Sequence, residues 1–482
     1  MANCVQCGRQ LPGLTFGKKL CQWCVQHEAA QRGEDSPVQR IEPAPWTRSH
    51  LSSMPVTQAI FGINVAVFVA MSLAVGVTVL GDPAWGALSL RLGANYGPYT
   101  LSGQWWRLLS CIFIHGGLLH IAFNMWCLWN LGRLAESVYG HWTFAAVYLI
   151  TGLASSLMSL AWHSSSPVSS VGASGAIFGI AGALISSFYL GEFSLPRAVM
   201  TGMLRSVVTF VAYNLFFGAV IARTDNSAHI GGVLMGLLLG ALIAKIAPGH
   251  DDFLRRIAVP LVGVLFVLGG AMWLHHARGY LAHAQYGFLL FRDGKVDQGI
   301  SELQKSAGLR PDFVPAHTAL AQAYVKKHDF ENEAEEMKRL ITLDPRDENA
   351  RVTLGVIYLD QKVPSKAQEV FSQLLKINPD NVDGHAGLAG ALSDQQHVLE
   401  ALEEYKRAAA LDPNYQDVYY NIGLMEARIK RYDDAIISLQ KQRQIGDDPE
   451  NEKLLADVYD TKGMKSEAAD ARQKAAQFQT AH

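Results

Sequence analysis

The stretch "SSVGASGAIFGIAGALI", from Ser169 to Ile185, consists almost entirely of small and apolar residues. A helix that is apolar all round is buried, either in a membrane or in a large core. The stretch also contains Ser174. Gly175 and Gly179 form a small-xxx-small pair of the kind that packs membrane helices closely. Taken alone, the stretch therefore leaves two interpretations of Ser174, a packing residue or a nucleophile.

The sequence around this stretch is equally apolar. The 192 residues from Val56 to Ala247 contain only eleven Asp, Glu, Lys or Arg, far fewer than the surface of a soluble domain carries. Apolar runs long enough to cross about 30 Å of hydrocarbon predict a membrane bundle of seven spans. These spans lie near residues 57–80, 118–138, 142–162, 172–190, 199–221, 227–247 and 255–275. No secretory signal peptide is expected, because the first apolar run begins only near residue 57, too far from the N-terminus for such a peptide.

The loops between these spans differ in their content of basic residues. Six basic residues precede the first span, and the loops after it divide into two alternating sets. One set holds Arg133, Arg197, Lys245, Arg255 and Arg256, and the opposite set holds Arg91, Arg107 and Arg223. The positive-inside rule therefore predicts a cytoplasmic N-terminus and, after seven spans, an external C-terminus. We expect the membrane to be a bacterial inner (plasma) membrane.

Beyond residue 277 the composition becomes charged and periodic. Prolines recur every 34 residues at Pro311, Pro345, Pro379 and Pro413, and Pro449 follows after 36. A 34-residue period with helix–turn–helix patterning is typical of tetratricopeptide repeats. Residues 279–482 are therefore predicted to form an α-solenoid of about six repeats. Such arrays bind many partners, so the expected ligand is a protein or peptide that the pattern does not specify.

The first thirty residues hold four of the six cysteines, at Cys4, Cys7, Cys21 and Cys24. Their C-x2-C-x13-C-x2-C spacing is typical of one tetrahedral zinc–thiolate site. The segment 1–30 is too short for a hydrophobic core, so bound metal would supply its folding energy. Two disulfides or unpaired thiols are the alternatives, and a reducing compartment favours zinc. Residues 31–55 are polar and contain several prolines, which predicts a linker.

Polar side chains on apolar spans are costly, and they are therefore functional candidates. His229 opens the sixth span, and glycines follow it at every fourth position, at Gly232, Gly236 and Gly240. That stripe allows another helix to approach closely. His120 and Asn124 share one face of the second span and offer hydrogen-bond donors. Together with Ser174 they supply a nucleophile, a proton acceptor and donors for a negative oxygen, although each alone also fits interhelical hydrogen bonding.

With these motifs, residues 56–247 resemble the rhomboid family of intramembrane serine proteases. "GASG" around Ser174 is similar to the nucleophile motif of the family, and "AHIGGVLMG" is similar to its catalytic-histidine helix. "HGGLLHIAFNM" resembles the motif that contains His120 and Asn124, and "WWR" at 105–107 and Glu136 fit the family pattern. The span at 255–275 resembles the variants with one helix after a six-span core. The expected fold is therefore an all-α membrane bundle followed by the repeats.

The resemblance implies a Ser–His dyad without an aspartate and without any cofactor for catalysis. Ser174 would attack a peptide carbonyl, and His229 would take its proton and pass it to the leaving amine. The resemblance implies that His120, Asn124 and the backbone N–H of Ser174 hold the oxyanion. It also implies that Gly172 admits the substrate backbone and that Phe178 packs against the catalytic ring.

The implied substrates are transmembrane segments of proteins in the lipid bilayer. A formal charge of -2 gives no indication of a nucleic-acid partner. The alternative is a non-catalytic, rhomboid-like membrane scaffold. Such a scaffold would be expected to have lost Ser174 or His229, and both residues are present.

Overall fold

The computed structural model describes residues 4–7, 20, 24, 28, 31–32, 54–77, 82–163, 168–191, 197–220, 224–246, 253–446 and 448–480. The described chain is helical except for one two-stranded sheet, so the all-α prediction is confirmed. It divides into two compact units. The first comprises Met1–Ala94, Leu108–Ser159 and Ser170–Val267, and the second comprises Asn95–Arg107, Leu160–Ser169 and Leu268–His482.

The elements of the apolar region follow one another in chain order. They are α1 (Pro55–Val75), α2 (Pro83–Leu92), β1 (Asn95–Tyr96), α3 (Gly97–Thr100), α4 (Arg107–Ser110), a 3-10 turn (Cys111–Phe113), α5 (Leu118–Cys127), a π-helical turn (Leu128–Gly132), α6 (Arg133–Tyr139), α7 (His141–His163), β2 (Ser169–Ser170), α8 (Ser174–Leu190), α9 (Arg197–Val220), α10 (Asn226–Ile246) and α11 (Phe253–Arg292).

The seven predicted spans correspond to helices of three kinds. Within the described ranges, five helices are long and apolar enough to cross a membrane, namely Pro55–Val75, His141–His163, Ala198–Val220, Asn226–Ile246 and Ala258–Arg292. The second predicted span is the later arm of a helix pair, Arg107–Phe113 and Leu118–Tyr139, which is bent by 91°. The fourth is α8, which has only 17 residues. Because α8 is buried among the other helices over most of its length, its apolar surface packs on protein.

Close contact between α8 and α10 depends on glycine. A Cβ added at Gly232 would lie 2.1 Å from the carbonyl oxygen of Gly175, and one at Gly236 would lie 2.0 Å from that of Gly179. One at Gly240 would lie 2.2 Å from the oxygen of Ala183. Real Cβ atoms do not approach backbone oxygen so closely. The glycine stripe of α10 therefore lets the backbones of the two helices touch.

Gly175 and Gly179 have a second neighbour that the sequence did not indicate. A Cβ at either position would overlap α7, where it would meet Ser155 or Thr151. Their missing side chains therefore make room for α7, while their carbonyl groups face α10. The small-xxx-small pattern of this pair indicated close helix packing, but not that two helices, α7 and α10, would pack against it.

Glu136 of α6 holds the start of α1. Its carboxylate accepts hydrogen bonds from Val56 N at 3.1 Å, Thr57 N at 2.8 Å and the Thr57 hydroxyl at 2.6 Å. His141 Nδ1 lies 2.6 Å from the same carboxylate. The first backbone N–H groups of a helix have no partner within it. A buried carboxylate at this position therefore satisfies them and ties the two helices together.

The repeats in the second unit are helix pairs. The end of α11 pairs with α12, and five further pairs follow. Their helices are α12 (Val296–Leu309), α13 (Val314–Lys327), α14 (Phe330–Leu343), α15 (Glu348–Asp360), α16 (Pro364–Ile377), α17 (Val382–Asp394), α18 (Val398–Leu411), α19 (Val418–Arg428), α20 (Tyr432–Ile445), α21 (Pro449–Thr461) and α22 (Lys465–Thr480). The expected span at 255–275 and the first repeat helix are thus one continuous helix of 40 residues.

A histidine recurs at one position of the repeats and binds a glutamate 19 residues later. His283 Nδ1 lies 2.7 Å from Glu302, and His317 Nδ1 lies 2.6 Å from Glu336. The corresponding pair in a later repeat is His385 and Glu404, at 2.5 Å. Each pair joins the two helices of one repeat. The 34-residue period therefore repeats a polar contact as well as the apolar packing.

We expect Gly236→Ala to destabilise the first compact unit, which contains the membrane helices α8 and α10 and is called the membrane unit below. The expected loss is about 1–3 kcal/mol, because the added methyl group would collide with rigid backbone of α8. Thermal unfolding in detergent measures this loss. Gly62→Ala on α1 is the matched control, since no atom lies within 4 Å of its added Cβ. Equal unfolding temperatures for the two variants would contradict the glycine-dependent packing.

Candidate active site

Ser174 and His229 meet where α8 and α10 begin. Ser174 is the first residue of α8, and His229 lies in the first turn of α10. His229 Nε2 is 3.0 Å from Ser174 Oγ, which is hydrogen-bond distance. The structure therefore brings together the two side chains predicted as nucleophile and base, although 55 residues separate them in the chain.

The imidazole of His229 is held by an aromatic ring. Phe178, one turn after Ser174, stacks on it with ring centroids 4.2 Å apart and planes inclined by 9°. The other ring nitrogen, Nδ1, has no hydrogen-bond partner among the described residues. A neutral imidazole with its proton on Nδ1 presents an acceptor at Nε2. The arrangement can therefore accept the serine proton without a third, orienting carboxylate.

Gly172, His120 and Asn124 lie against one another beside Ser174. Gly172 has φ of 121°, and an added Cβ would lie 2.8 Å from the His120 ring and 3.7 Å from Asn124 Nδ2. His120 Nδ1 accepts a hydrogen bond from Gly116 N at 3.2 Å. The hydrogen of a neutral His120 is therefore on Nε2, which lies on the side of Gly172. Asn124 donates to the His120 carbonyl oxygen at 3.0 Å, which uses one of its two amide hydrogens.

His115 and Arg107 have structural contacts. His115 is fully buried, and its ring meets His120 edge-on with centroids 5.3 Å apart. Its carbonyl oxygen accepts from Trp85 Nε1 at 2.8 Å. Arg107 donates to Gln104 at 2.8 Å and lies 4.8 Å above the ring centroid of Tyr99. Neither residue contacts Ser174 or His229 in the described contacts.

Sequence reasoning missed Asp225. This residue directly precedes α10, and its carboxylate accepts from Ala228 N at 3.1 Å. An aspartate immediately before a helix is a common N-cap, so the sequence "TDNSAHIGG" contained a signal for it. Its position four residues before His229 places it next to the candidate site.

An apolar cleft of about 520 Å³ lies beside this site. Its lining side chains come from α5, α6, the π-helical turn between them, and α9, and they include Trp126, Leu131, Leu134, Met203 and Phe210. Phe210 also packs against Phe178, with ring centroids 5.7 Å apart. Phe210 therefore stands between the cleft and the aromatic ring that supports His229.

The cysteines form a separate candidate metal site. The Sγ atoms of Cys4, Cys7 and Cys24 lie within 4.8 Å of one another. Two thiolates on one tetrahedral zinc stand about 3.8 Å apart when each Zn–S bond is about 2.3 Å. The three described sulfurs therefore fit a zinc ion. The fourth predicted ligand, Cys21, lies outside the described residues.

Models of two protein families match parts of this chain. A model of the Rhomboid domain matches residues 102–246, and a tetratricopeptide repeat model matches residues 352–415 and 389–449. Rhomboid protease AarA of Providencia stuartii is 31% identical over 195 residues, which cover 36% of this chain and 67% of AarA. The chain belongs to the rhomboid family. With its apolar helices, this rhomboid is a multi-pass membrane protein.

Another relative of this rhomboid covers more of the chain at a lower identity. Rhomboid protease GluP of Bacillus subtilis is 27% identical over 274 residues, 56% of this chain and 52% of GluP. The chain spans about half the length of several curated relatives that it matches. Among solved structures, MamA is 23% identical, with a TM-score of 0.32 over 33% of this chain and 95% of that chain.

We expect Gly172→Ala to destabilise this rhomboid more than Gly103→Ala does. Both glycines have a positive φ near 120°, so both variants suffer the same backbone strain. Only the methyl group at 172 would also collide with His120, whereas that at 103 would meet no atom within 4 Å. Thermal unfolding measures the difference, about 1–3 kcal/mol. Equal losses would show that His120 does not lie against Gly172.

Proposed function

We propose that this rhomboid is an intramembrane serine endopeptidase that uses Ser174 and His229. The observation that carries the proposal is the 3.0 Å contact between His229 Nε2 and Ser174 Oγ. The imidazole is also fixed by its stack on Phe178, so the base is oriented before substrate arrives. A hydroxyl becomes a useful nucleophile near neutral pH only when a base removes its proton, and this pair provides one.

The reaction follows from the roles of these two groups. Ser174 Oγ attacks the carbonyl carbon of the peptide bond as its proton passes to His229 Nε2. The tetrahedral intermediate collapses to an acyl-enzyme, and His229 donates that proton to the leaving amine. Water then attacks the acyl group with His229 again as base, which releases the new carboxylate and restores Ser174.

The negative oxygen of the intermediate would be stabilised by three donors. The N–H of Ser174 is at the first position of α8, where backbone donors have no partner within the helix and the helix dipole is positive. His120 Nε2–H and the amide of Asn124 lie next to Gly172, two residues before Ser174. Loss of one oxyanion donor typically reduces kcat by about 10²–10³-fold.

The substrates we propose are transmembrane segments of other proteins. A protease reacts with extended backbone, so the substrate helix must unwind locally, and glycine or proline lowers the cost of unwinding. The apolar cleft beside Phe178 could accept such an apolar segment. We also propose that the membrane is a bacterial inner membrane, in which the distribution of basic residues favours a cytoplasmic N-terminus and external repeats.

We expect Ser174→Ala and His229→Ala each to abolish cleavage of a model transmembrane substrate, because each removes one half of the proton transfer. The measurement is cleavage in proteoliposomes, together with labelling by a serine-reactive fluorophosphonate. Ser137→Ala is the control, because the Ser137 hydroxyl is exposed, bonds within its own helix and lies outside the lining of the cleft. Cleavage retained by both active-site variants would refute the mechanism. A wild-type protein without label on Ser174 would instead favour the non-catalytic scaffold.

We further propose that the repeats recruit substrates or protein partners. A cavity of about 280 Å³ is lined by the first helices of three successive repeats, α15, α17 and α19. Gly390 lines it, and a Cβ there would only touch Leu359 and Tyr405, at 3.6 and 3.7 Å. At the rim, Tyr415 donates to Asp383 at 2.8 Å. Burial and the neighbouring Asp383 carboxylate raise the pKa of Tyr415, so the phenol remains a donor at neutral pH.

We expect Gly390→Leu to reduce cleavage of native membrane proteins while sparing a short model peptide, because the new side chain fills the cavity without a backbone clash. N-terminal proteomics of membranes reports the native cleavages. Gly308→Leu is the matched control, since no atom lies within 4 Å of a Cβ at that position in the same array. Native cleavage unaffected by Gly390→Leu would argue against recruitment through this cavity.

We propose that the cysteine cluster binds one structural zinc ion. Its three described thiols fit tetrahedral coordination, and thiolates are the preferred ligands for such a site.

Metal analysis of the purified protein should therefore find about one zinc per chain, and Cys7→Ser should reduce that content. Cys127→Ser removes a buried cysteine of the membrane unit and serves as the control. Wild-type protein without zinc would exclude the site.

A further inference from the structure

Asp225 has more hydrogen-bond donors than a helix cap requires. Ala228 N at 3.1 Å and the Ser227 hydroxyl at 2.5 Å both belong to the first turn of α10, and they account for its role as a cap. A third hydrogen bond comes from the Ser159 hydroxyl, in another part of the chain, and the Ser170 hydroxyl lies near enough to the carboxylate to help lower its pKa. An ionised carboxylate has about four acceptor positions, so it can accept from all of these groups at once.

The two additional donors lie on elements that form the candidate active site. Ser170 is in β2, two residues before Gly172 and four before Ser174. Ser159 is in α7, the helix whose Ser155 and Thr151 lie against α8 at Gly175 and Gly179. Asp225 itself stands four residues before His229, and its carbonyl oxygen accepts from His229 N at 3.3 Å. One carboxylate thus joins the segment of the nucleophile to the helix of the base.

Asp225 is suited to hold these segments firmly. Burial acts to raise the pKa of Asp225, but the hydrogen bonds from Ser159, Ser227, Ser170 and Ala228 N hold that pKa below its usual range. The group therefore remains an anion, and hydrogen bonds to an anion are roughly twice as strong as neutral ones. At an exposed site they would compete with water, but Asp225 is largely covered.

The geometry of the dyad needs such a support. His229 Nδ1 has no hydrogen-bond partner among the described residues, so no polar group fixes the ring from behind. The distance between Nε2 and Ser174 Oγ consequently depends on how α10 is positioned against the segment from Ser170 to Ser174. A displacement of about 1 Å in such a pair can reduce the rate by about 100-fold.

We propose that Asp225 is a positioning residue for the dyad, which sets the spacing between Ser174 and His229 by binding Ser170, Ser159 and the start of α10 at one carboxylate. The inference rests on the proposed protease function. It assigns Asp225 no proton transfer and no contact with substrate. Its effect is confined to the step in which Ser174 is activated.

The test compares Asp225→Ala with Asp82→Ala in the full-length protein in proteoliposomes. Asp82 is a matched cap, because its carboxylate accepts from Ala84 N at 2.7 Å at the start of α2. We expect Asp225→Ala to reduce kcat and the rate of fluorophosphonate labelling by about 10- to 100-fold with KM unchanged. Asp82→Ala should retain wild-type kcat. Asp225→Asn, which keeps the size and one acceptor oxygen, should recover part of the loss.

Ser170→Ala removes only the bond to the segment that carries Ser174. It should reduce kcat by about 2- to 10-fold, and it decides the question if Asp225→Ala does not accumulate as folded protein. Equal kcat for Asp225→Ala and Asp82→Ala, or a change in KM alone, would overturn the inference. Wild-type protein that neither cleaves nor labels would instead refute the proposed function, so the two failures are distinguishable.

Discussion

Backbone contact between α8 and α10 is the constraint on which the membrane unit depends. Lipid is as apolar as a leucine side chain, so membrane helices gain little by burying apolar groups and associate through close packing and polar contacts. Glycine at Gly232, Gly236 and Gly240 allows the closest packing available, helix backbone on helix backbone. Farther along, Ser186 donates to the Leu237 carbonyl oxygen at 2.7 Å and adds a polar contact to the same interface. The starts of both helices are thereby brought to one place.

The active-site arrangement follows from that contact. Ser174 and His229 each occupy the first turn of their helix, so two helices in contact at their starts present these side chains to each other. The same ends carry unpaired backbone N–H groups and positive dipole ends, which favour negative charge. A negative oxygen at Ser174 would therefore lie where the helix starts already offer hydrogen-bond donors. Glu136 and Asp225 serve analogous helix ends, since each carboxylate satisfies the start of one helix and joins it to other elements.

The helices of the second unit associate for a different physical reason. Its helices are short and amphipathic, and each buries its apolar face against its neighbours in sequence. Phe371 illustrates this, because its ring fills the space left by Gly355 and Gly387 of two successive repeats. The 40-residue helix α11 begins in the apolar region and ends as a helix of the first repeat. One helix thus contains both the last apolar span and the first repeat helix, although the composition changes from apolar to charged along it.

Several features of this rhomboid could be predicted from the sequence because they depend on local pattern. The all-α class and both architectures followed from the low charge density, the length of the apolar spans and the 34-residue period. The candidate site followed from the motifs around Ser174, His229, His120 and Asn124. Other features arise only from tertiary contact: the second packing partner of Gly175, the 91° bend before α5, and the hydrogen bond from Ser159 to Asp225. Sequence spacing specifies which residues share one helix face, since helical geometry is periodic. The packing of separate helices decides which of their faces meet and which distant hydroxyl reaches a carboxylate. Only the folded structure determines these contacts.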